Sequence, residues 1–305
     1  MLPSKIHFIE RGWLSANQIY FYDDHHLDIV DSGFCSHADQ TVSLLKTYLR
    51  QSPHLSPRNL FNTHLHSDHC GGNQVLQKHF SLTCFVPEAE FFPVTQWNVD
   101  ALGFEELGQP CPIFSADKTL VPGELIHIGA YQFEIHATPG HHAKSILLFE
   151  PNLSLLISAD VLWEKGFGAL FSGMTDPLGF LEQRNSLKLI ERLHPKIILP
   201  GHGQAFTDVQ KALKVAFSRL DYLEANPSRN AHHVAQVLFK FMLMFEHQIN
   251  LEQSQSWFKN TLIMQKAANY LSMSSEDLMA YTILSLKQAG VIRTQDNLIV
   301  NHFNS

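Results

Sequence analysis

The chain has 305 residues, of which 45% are hydrophobic and 17% charged, a size that suits one large domain or one domain with an appendage rather than three domains. Its formal net charge of −7 and its lack of any Lys/Arg-rich run disfavour a nucleic-acid-binding role, because phosphate binding depends on clustered basic side chains. No uninterrupted apolar stretch approaches the length of a membrane span, so we expect no membrane-embedded segment.

The N-terminal residues and the cysteines indicate the cellular compartment. Residues 1–5 lack the basic segment and the apolar run of a signal peptide, so we expect a soluble, cytoplasmic protein. The four cysteines, at positions 35, 70, 84 and 111, form no C-x-x-C pair and stand in unrelated contexts. We therefore expect reduced thiols rather than a disulfide.

The first 50 residues predict strands followed by a helix. Alternation at residues 6–8, and at 18–22 and 27–30 around a polar turn, is typical of strands, the last two forming a hairpin. The turn Asp31-Ser32-Gly33 follows. Apolar residues then recur at helical spacing, which predicts an amphipathic helix over residues 39–48.

Four residues of metal-binding types lie within the segment 64–69, namely His64, His66, Asp68 and His69. Residues 59–62 just before them predict a short strand, and Gly71-Gly72 permits a tight turn into a helix over 73–79. If the strand continues, His64 and His66 share one of its faces. If the chain turns after His66, Asp68 and His69 can face a second ion. Taken alone, the cluster could also be a histidine-rich surface turn in a chain with 19 histidines.

Residues 82–86 predict a short strand, after which the pattern loses its period. The stretch 88–117 carries Phe92, Trp97 and Phe104 among its aromatic residues, together with three prolines, and predicts a long loop with helical turns. Its aromatic residues could form a satellite core or line a substrate pocket.

Further strands and a helix bring three more candidate ligands to strand ends. Strands are predicted at 126–128, 132–136, 145–149 and 153–158, with His141 and His142 following the second and Asp160 following the last. Residues 180–193 predict a helix that Pro195 ends, and 196–199 predict a strand before His202.

The composition changes to helix from Thr207 onward. Helical periodicity covers 209–224, 230–246, 251–271 and 276–288, and residues 290–293 with 297–300 predict a closing β-hairpin. The helix over 230–246 has apolar residues on most of its sides, so we expect it to pack against the preceding region or in a homodimer. The acidic pair Glu276-Asp277 at the start of the last helix disfavours nucleic-acid binding there.

Four motifs in this order resemble those of the metallo-β-lactamase superfamily. They are His64–His69 with the following glycine pair, Thr138–His141, Ser158–Asp160 and Leu199–Gly203, spanning residues 5 to 205. The resemblance implies an α/β fold, the αββα metallo-β-lactamase sandwich, over residues 1–206. Residues 207–305 resemble the α-helical, winged-helix-like C-terminal domain of some hydrolases of this fold, including a lactamase-like endoribonuclease group.

The resemblance also implies a site for two divalent metal ions, held by His64, His66 and His141 for the first ion, by Asp68, His69 and His202 for the second, and by Asp160 as the bridge. Zn²⁺ is the expected metal, with Fe²⁺ or Mn²⁺ as alternatives. Asp68 is also the expected catalytic residue, which would orient the nucleophile or pass a proton to the leaving group. His142 is not expected to bind, because the motif points to the histidine directly after Pro-Gly. Asp31 is either a turn residue or a hydrogen-bond partner of a ligating histidine.

The resemblance finally implies a reaction class. Enzymes that open β-lactams generally lack an aspartate at the position of Asp160, whereas thioesterases, lactonases and phosphodiesterases have one. We expect a dinuclear metal-dependent hydrolase of a small ester, thioester or lactone that uses a metal-bridging hydroxide, similar in its metal site to hydroxyacylglutathione hydrolases. No basic residues match those that would bind glutathione. The alternatives are a metal-dependent nuclease or phosphodiesterase acting on RNA or DNA, and an inactive scaffold that binds metal and a partner.

Overall fold

Two β-sheets face each other across an apolar core in the computed structural model, which describes residues 2–12, 14–171 and 178–302. The strands of the first sheet, in spatial order, are β1 (Ile6–Ile9), β2 (Gln18–Tyr22), β3 (His26–Val30), β4 (Ser56–Phe61), β5 (Thr83–Pro87) and β6 (Lys118–Leu120). Strands β1 to β3 are antiparallel and β3 to β6 are parallel. The predicted hairpin between residues 18 and 30 is confirmed.

The second sheet has five strands in the order β11-β10-β9-β8-β7. They are β7 (Leu125–Ile128), β8 (Tyr131–Ala137), β9 (Ile146–Glu150), β10 (Leu155–Ala159) and β11 (Ile197–Pro200). Only β10 and β11 are parallel within this sheet, and parallel neighbours require a long crossover connection. The segment between them contains the helix that the sequence predicts before Pro195.

Alternating side chains along the strands explain why the sheets stack. In β2, Ile19 and Phe21 point into the core between the sheets, whereas Tyr20 joins the cluster on the outer face of the first sheet. In β9, Leu148 enters the core between the sheets and Leu147 packs on the outer face of the second sheet. Each sheet is therefore apolar on both faces, and both outer faces need a covering layer.

Helices supply these covering layers. In the first 225 residues they are α1 (Ala38–Gln51), α2 (Ser67–Cys70), α3 (Asn73–His79), α4 (Glu88–Thr95), α5 (Val99–Leu102), α6 (Phe104–Leu107), α7 (Leu178–Leu193) and α8 (Val209–Ala225). Leu45 of α1 and Leu76 of α3 pack on the first sheet, and Leu187 of α7 and Leu213 of α8 pack on the second. The predicted αββα sandwich is confirmed.

The rest of the chain forms a separate apolar cluster beside a three-stranded sheet. Its elements are α9 (Pro227–Glu246), β12 (Gln248–Asn250), α10 (Leu251–Asn260), α11 (Leu262–Leu271), α12 (Ser275–Gln288), β13 (Ile292–Gln295) and β14 (Leu298–Asn301). Phe239 of α9 lies in this cluster, while Phe241 and Met244 pack against Leu14 and Phe34. Helix α9 is thus buried on several sides by contacts within one chain, as its composition predicts.

The structure corrects one prediction about secondary structure and makes two others more definite. The predicted long loop with helical turns over 88–117 contains three helices: α4 has eight residues, and α5 and α6 have four residues each and end at Gly103 and Gly108 with positive φ. Residues 251–271 form two helices, since Thr261 is extended between them. The strand β4 ends at Phe61 and α2 begins at Ser67, so of the two alternatives for the cluster the chain turns after His66, and His64 and His66 lie in a loop.

Two expectations from the composition concern disulfides and membrane-spanning helices. All four cysteines are free thiols, and the two nearest sulfur atoms, of Cys70 and Cys111, are 3.7 Å apart. In the described part of the chain, no helix combines the length and the apolar character that a bilayer crossing needs.

Asp28 is a buried carboxylate that connects the two sheets. It accepts hydrogen bonds from the Gly129 amide at 2.7 Å and from Arg58 Nε at 3.0 Å. Asp28→Ala leaves both donors without their acceptor, so we expect the free energy of unfolding to fall by about 3 kcal/mol in urea denaturation. Asp24→Ala, which removes an exposed partner of Lys5, is the control and should change stability far less. Equal losses in the two variants would contradict the role of Asp28.

Candidate metal centre

Asp31 fixes the loop that carries the histidine-rich motif. Its carboxylate accepts hydrogen bonds from the amide of Thr63 at 2.9 Å and from the hydroxyl of Thr63 at 2.9 Å. The same carboxylate lies 2.7 Å from Nδ1 of His69. Asp31 is thus more than a turn residue, because it holds both ends of the loop and directs Nε2 of His69 away from itself.

The first cluster consists of three buried imidazoles. Nε2 of His64 lies 3.1 Å from Nδ1 of His66, which lies 2.8 Å from Nε2 of His141. The other ring nitrogen of His141, Nδ1, donates a hydrogen bond to the carbonyl of Ala169 at 2.6 Å, which fixes the orientation of this ring. The three nitrogen atoms therefore converge on one point.

The second cluster combines two carboxylates and two imidazoles, from Asp68, His69, Asp160 and His202. Nε2 of His202 lies 3.0 Å from Oδ2 of Asp68, and Nε2 of His69 lies 3.3 Å from Oδ1 of Asp160. Oδ2 of Asp160 is 3.4 Å from Nε2 of His141, which belongs to the first cluster. Asp160 thus lies between the two clusters.

Charge and burial set the protonation states of these groups. Burial and the neighbouring imidazoles hold the pKa of His64 and of His66 well below the usual value. Burial opposes the charged form of His69, yet Asp160, Asp31 and Asp68 outweigh it and raise the pKa of His69 well above the usual value. Burial also opposes ionisation of Asp160, but His69 and His202 hold the pKa of its carboxyl well below the usual range. The first cluster is therefore neutral at pH 7, and the second contains ionised carboxylate.

Two glycines allow the backbone to approach the clusters. A Cβ atom on Gly201 would lie 2.2 Å from Oδ1 of Asp160, and one on Gly168 would lie 2.5 Å from Nδ1 of His141. Any larger residue at either position would displace the side chain beside it.

The structure brings together all seven residues that the sequence singles out, in the same two groups of neighbours. His142 is in neither group, and its Nε2 lies 3.3 Å from the buried carboxylate of Glu90. Glu90 also binds Lys144 at 3.0 Å, and burial raises its pKa to about 7. The sequence gives no signal for Glu90, because it lies in a stretch that we predicted to be a loop.

A cavity of about 220 Å³ opens beside the clusters. Its lining includes five cluster residues, namely His66, Asp68, His141, Asp160 and His202. Residues from 163 to 169, Phe171 and side chains from α8 and α9 form most of the rest. The aromatic residues Phe92, Trp97 and Phe104 are not in this lining; Phe92 is exposed, whereas Trp97 stacks on Phe104 in the cluster on the first sheet. The satellite-core alternative is therefore correct for the last two.

A family model described as the metallo-beta-lactamase superfamily matches residues 11–202. This range is more than half of the chain, and it contains both clusters. The chain belongs to the metallo-β-lactamase superfamily. The resemblance carried by the four sequence motifs is thereby confirmed.

Curated relatives of this superfamily match a shorter part of the chain. Hydroxyacylglutathione hydrolases from Brucella ovis and Brucella abortus are 29% identical to it over 114 residues, which is 37% of this chain and 37% of each relative. The chain thus matches well under half the length of these relatives.

Solved structures match a larger part of the chain than the curated relatives do. The B3 metallo-β-lactamase BLEG-1 is 26% identical, with a TM-score of 0.51 over 68% of this chain and 96% of that one. A β-lactamase domain protein from Burkholderia ambifaria is 16% identical, with a TM-score of 0.59 over 99% of this chain and 93% of that one. The second match shows a shared fold that includes the C-terminal helices.

Proposed function

We propose that the protein is a dinuclear metal-dependent hydrolase of a small ester, thioester or lactone. The observation that carries this proposal is the pair of adjoining clusters, with Asp160 between them, at the wall of a cavity large enough for one small molecule. The name hydrolase of the Brucella relatives supports it, although they match only 37% of this chain. The superfamily membership supports the same reaction class.

The donor set fits two divalent metal ions. Three neutral imidazoles suit Zn²⁺, and a mixed set of imidazole and carboxylate suits Zn²⁺, Fe²⁺ or Mn²⁺. Nε2 of His69 is buried and makes no regular hydrogen bond within the described part of the chain, although Oδ1 of Asp160 is 3.3 Å away. A buried nitrogen of this kind is explained if a cation takes the place of its proton.

We assign the ligands as the clusters group them. His64, His66 and His141 would hold one ion, Asp68, His69 and His202 the other, and Asp160 would bridge them. When bound, such ions supply Lewis acidity toward a carbonyl oxygen and make water acidic at neutral pH.

Asp68 has the position of a catalytic residue. Its carboxylate is buried beside His202 and lies in the lining of the cavity, where it can orient a nucleophile or pass a proton to the leaving group. The apolar side chains of Phe167, Phe171 and Val237 line the same cavity and limit the access of bulk water.

The chemical character of the cavity lining favours an acyl substrate. Small-ligand pockets are mainly apolar with few polar groups, whereas nucleic-acid grooves are basic and wet. Outside the clusters the wall is mainly apolar, with Trp163, Phe167, Phe171, Val237 and Phe241, and its cations are Lys165 and Arg219 rather than a row of basic residues. The chain carries a net charge of −7. The name of the Brucella relatives supports a thioester, and that of BLEG-1 makes a β-lactam the competing acyl substrate.

Other assignments remain part of this proposal. We propose a catalytic domain over 1–206 and a winged-helix-like domain over 207–305. Helices α10 to α12 and the hairpin β13–β14 support the second domain, whereas α8 packs on the second sheet and so adds to the catalytic domain. Cytoplasmic location and a homodimer stay predictions. The Phe241 and Met244 contacts within the chain reduce the apolar surface left for a dimer.

A substrate panel tests the proposed function. Metal-loaded protein is assayed on thioesters, lactones, aryl esters and a β-lactam beside single-stranded RNA and bis-p-nitrophenyl phosphate, at two salt concentrations. We expect turnover of an acyl substrate other than the β-lactam, with little salt dependence. Salt-sensitive RNA cleavage that His66→Ala abolishes, without acyl turnover, would replace the proposal by a nuclease.

A further inference from the structure

Arg219 is a half-buried cation in the wall of the cavity beside the metal centre. Its guanidinium lies over the ring of Phe167, 4.8 Å from the centroid. Nη1 donates to the carbonyl of Phe167 at 2.9 Å, and Nη2 lies 3.0 Å from Nε2 of His233. Among residues 2–12, 14–171 and 178–302, no carboxylate forms an ion pair with it. A positive charge is therefore held in the cavity wall without a carboxylate of the described residues paired to it.

His233 holds the guanidinium without neutralising it. A guanidinium can only donate hydrogen bonds, so Nε2 of His233 must be the acceptor and its ring must be neutral. Burial, together with the positive charge of Arg219, lowers the pKa of His233 to about 4, which preserves this bond at neutral pH. Stacking on Phe167 and two hydrogen bonds fix the plane of the guanidinium, and its remaining N–H groups are left for a ligand.

The cavity connects this cation with the metal centre. Asp68, Asp160 and His202 are part of the same lining as Arg219, and the cavity volume is about 220 Å³. A molecule that fills this volume contacts both the cluster residues and the α8 side chain. Lys165, which is exposed at the same cavity, adds a second positive charge. Arg219 and Lys165 thus give one part of the lining a positive charge, while the carboxylates of Asp68 and Asp160 lie in the part formed by the clusters.

We propose that Arg219 binds a carboxylate of the substrate, so that the substrates are esters, thioesters or lactones that carry a carboxylate besides the bond to be cleaved. The proposal rests on the proposed function and deepens it. A planar guanidinium with a fixed orientation matches the two oxygens of a carboxylate, which makes Arg219 a residue that determines specificity.

Paired substrates test this role by kinetics. The mono-p-nitrophenyl ester of glutarate is compared with the same ester whose free carboxylate is capped as a methyl ester, and p-nitrophenol release is measured. For the charged substrate, Arg219→Gln should raise KM about 30-fold with kcat within about threefold, while the capped substrate changes little. Arg219→Lys should recover part of the loss, because it keeps the charge but not the fork.

Arg229→Gln is the matched control. Arg229 is exposed on α9 and stacks on Tyr222 at 4.7 Å, close to the distance of Arg219 from Phe167, but it is not in the cavity lining. Arg229→Gln should leave KM and kcat for both esters unchanged. Equal losses of Arg219→Gln on the charged and capped esters would overturn the proposal, and so would a wild type that does not distinguish the two esters.

A binding measurement separates this proposal from the proposed function. Glutarate is titrated into metal-loaded wild type, Arg219→Gln and Arg229→Gln in a calorimeter, and circular dichroism checks that the variants are folded. An affinity at least about 10-fold lower in Arg219→Gln alone supports carboxylate binding even if no acyl substrate is turned over, in which case only the hydrolase function fails. Unchanged glutarate affinity in Arg219→Gln would overturn the role of Arg219.

Discussion

Asp160→Ala should remove one of two bound metal ions and lower kcat/KM by about 10³-fold or more. The carboxylate of Asp160 lies 3.3 Å from Nε2 of His69 and 3.4 Å from Nε2 of His141, so it contacts both clusters. Without it, Asp68, His69 and His202 alone remain for the second ion, whereas three imidazoles still hold the first. Metal content is measured by elemental analysis after gel filtration, and activity on the best acyl substrate.

The control for this variant is Asp39→Ala. Asp39 is exposed in the first turn of α1 and belongs to neither cluster, so this variant should keep two ions and full activity. An Asp160→Ala protein that retains both ions and full turnover would remove the bridging carboxylate from the account.

Ending the chain after residue 206 should abolish cooperative folding. Helix α8 begins at Val209 and buries Val209, Leu213, Leu220 and Leu223 against the second sheet and α7. Burial of each such side chain contributes about 1.5–3 kcal/mol, and their sum is comparable to the entire free energy of unfolding of a domain. Thermal unfolding followed by circular dichroism is the measurement.

A chain that ends after residue 226 is the comparison for this truncation. It keeps α8 and Arg219 but lacks Val237 and Phe241 of the cavity wall, so we expect it to be more stable than the shorter chain but much less active than the full chain. If the chain ending at 206 unfolds as cooperatively and at the same temperature as the full chain, α8 belongs with the C-terminal helices and the packing argument is wrong.

The metal-centre geometry could be predicted from the sequence because its ligands are local or stand at strand ends. His64, His66, Asp68 and His69 fall within six residues, and His141 follows a strand whose alternation is visible. The assignment of these residues, and of Asp160 and His202, to two ions came from the resemblance to the metallo-β-lactamase superfamily. The sequence left open whether His64 and His66 lie on a strand or in a turn, because hydrogen bonds to the carboxylate of Asp31, not strand pairing, hold this loop.

The cavity wall could not be predicted, because long-range packing forms it. Arg219, Val237 and Phe241 reach the cavity from helices whose periodicity indicates only that one side is buried. The break at Thr261 was missed for a related reason: α10 and α11 both bury apolar side chains in one cluster, so the pattern continues across the break.

The metal content of the wild-type protein tests the account most directly. Protein purified without chelator, or loaded with excess Zn²⁺ and passed through gel filtration, is measured by elemental analysis. The two clusters predict close to two transition-metal equivalents per chain. A single equivalent that persists after loading with excess metal would contradict the dinuclear centre.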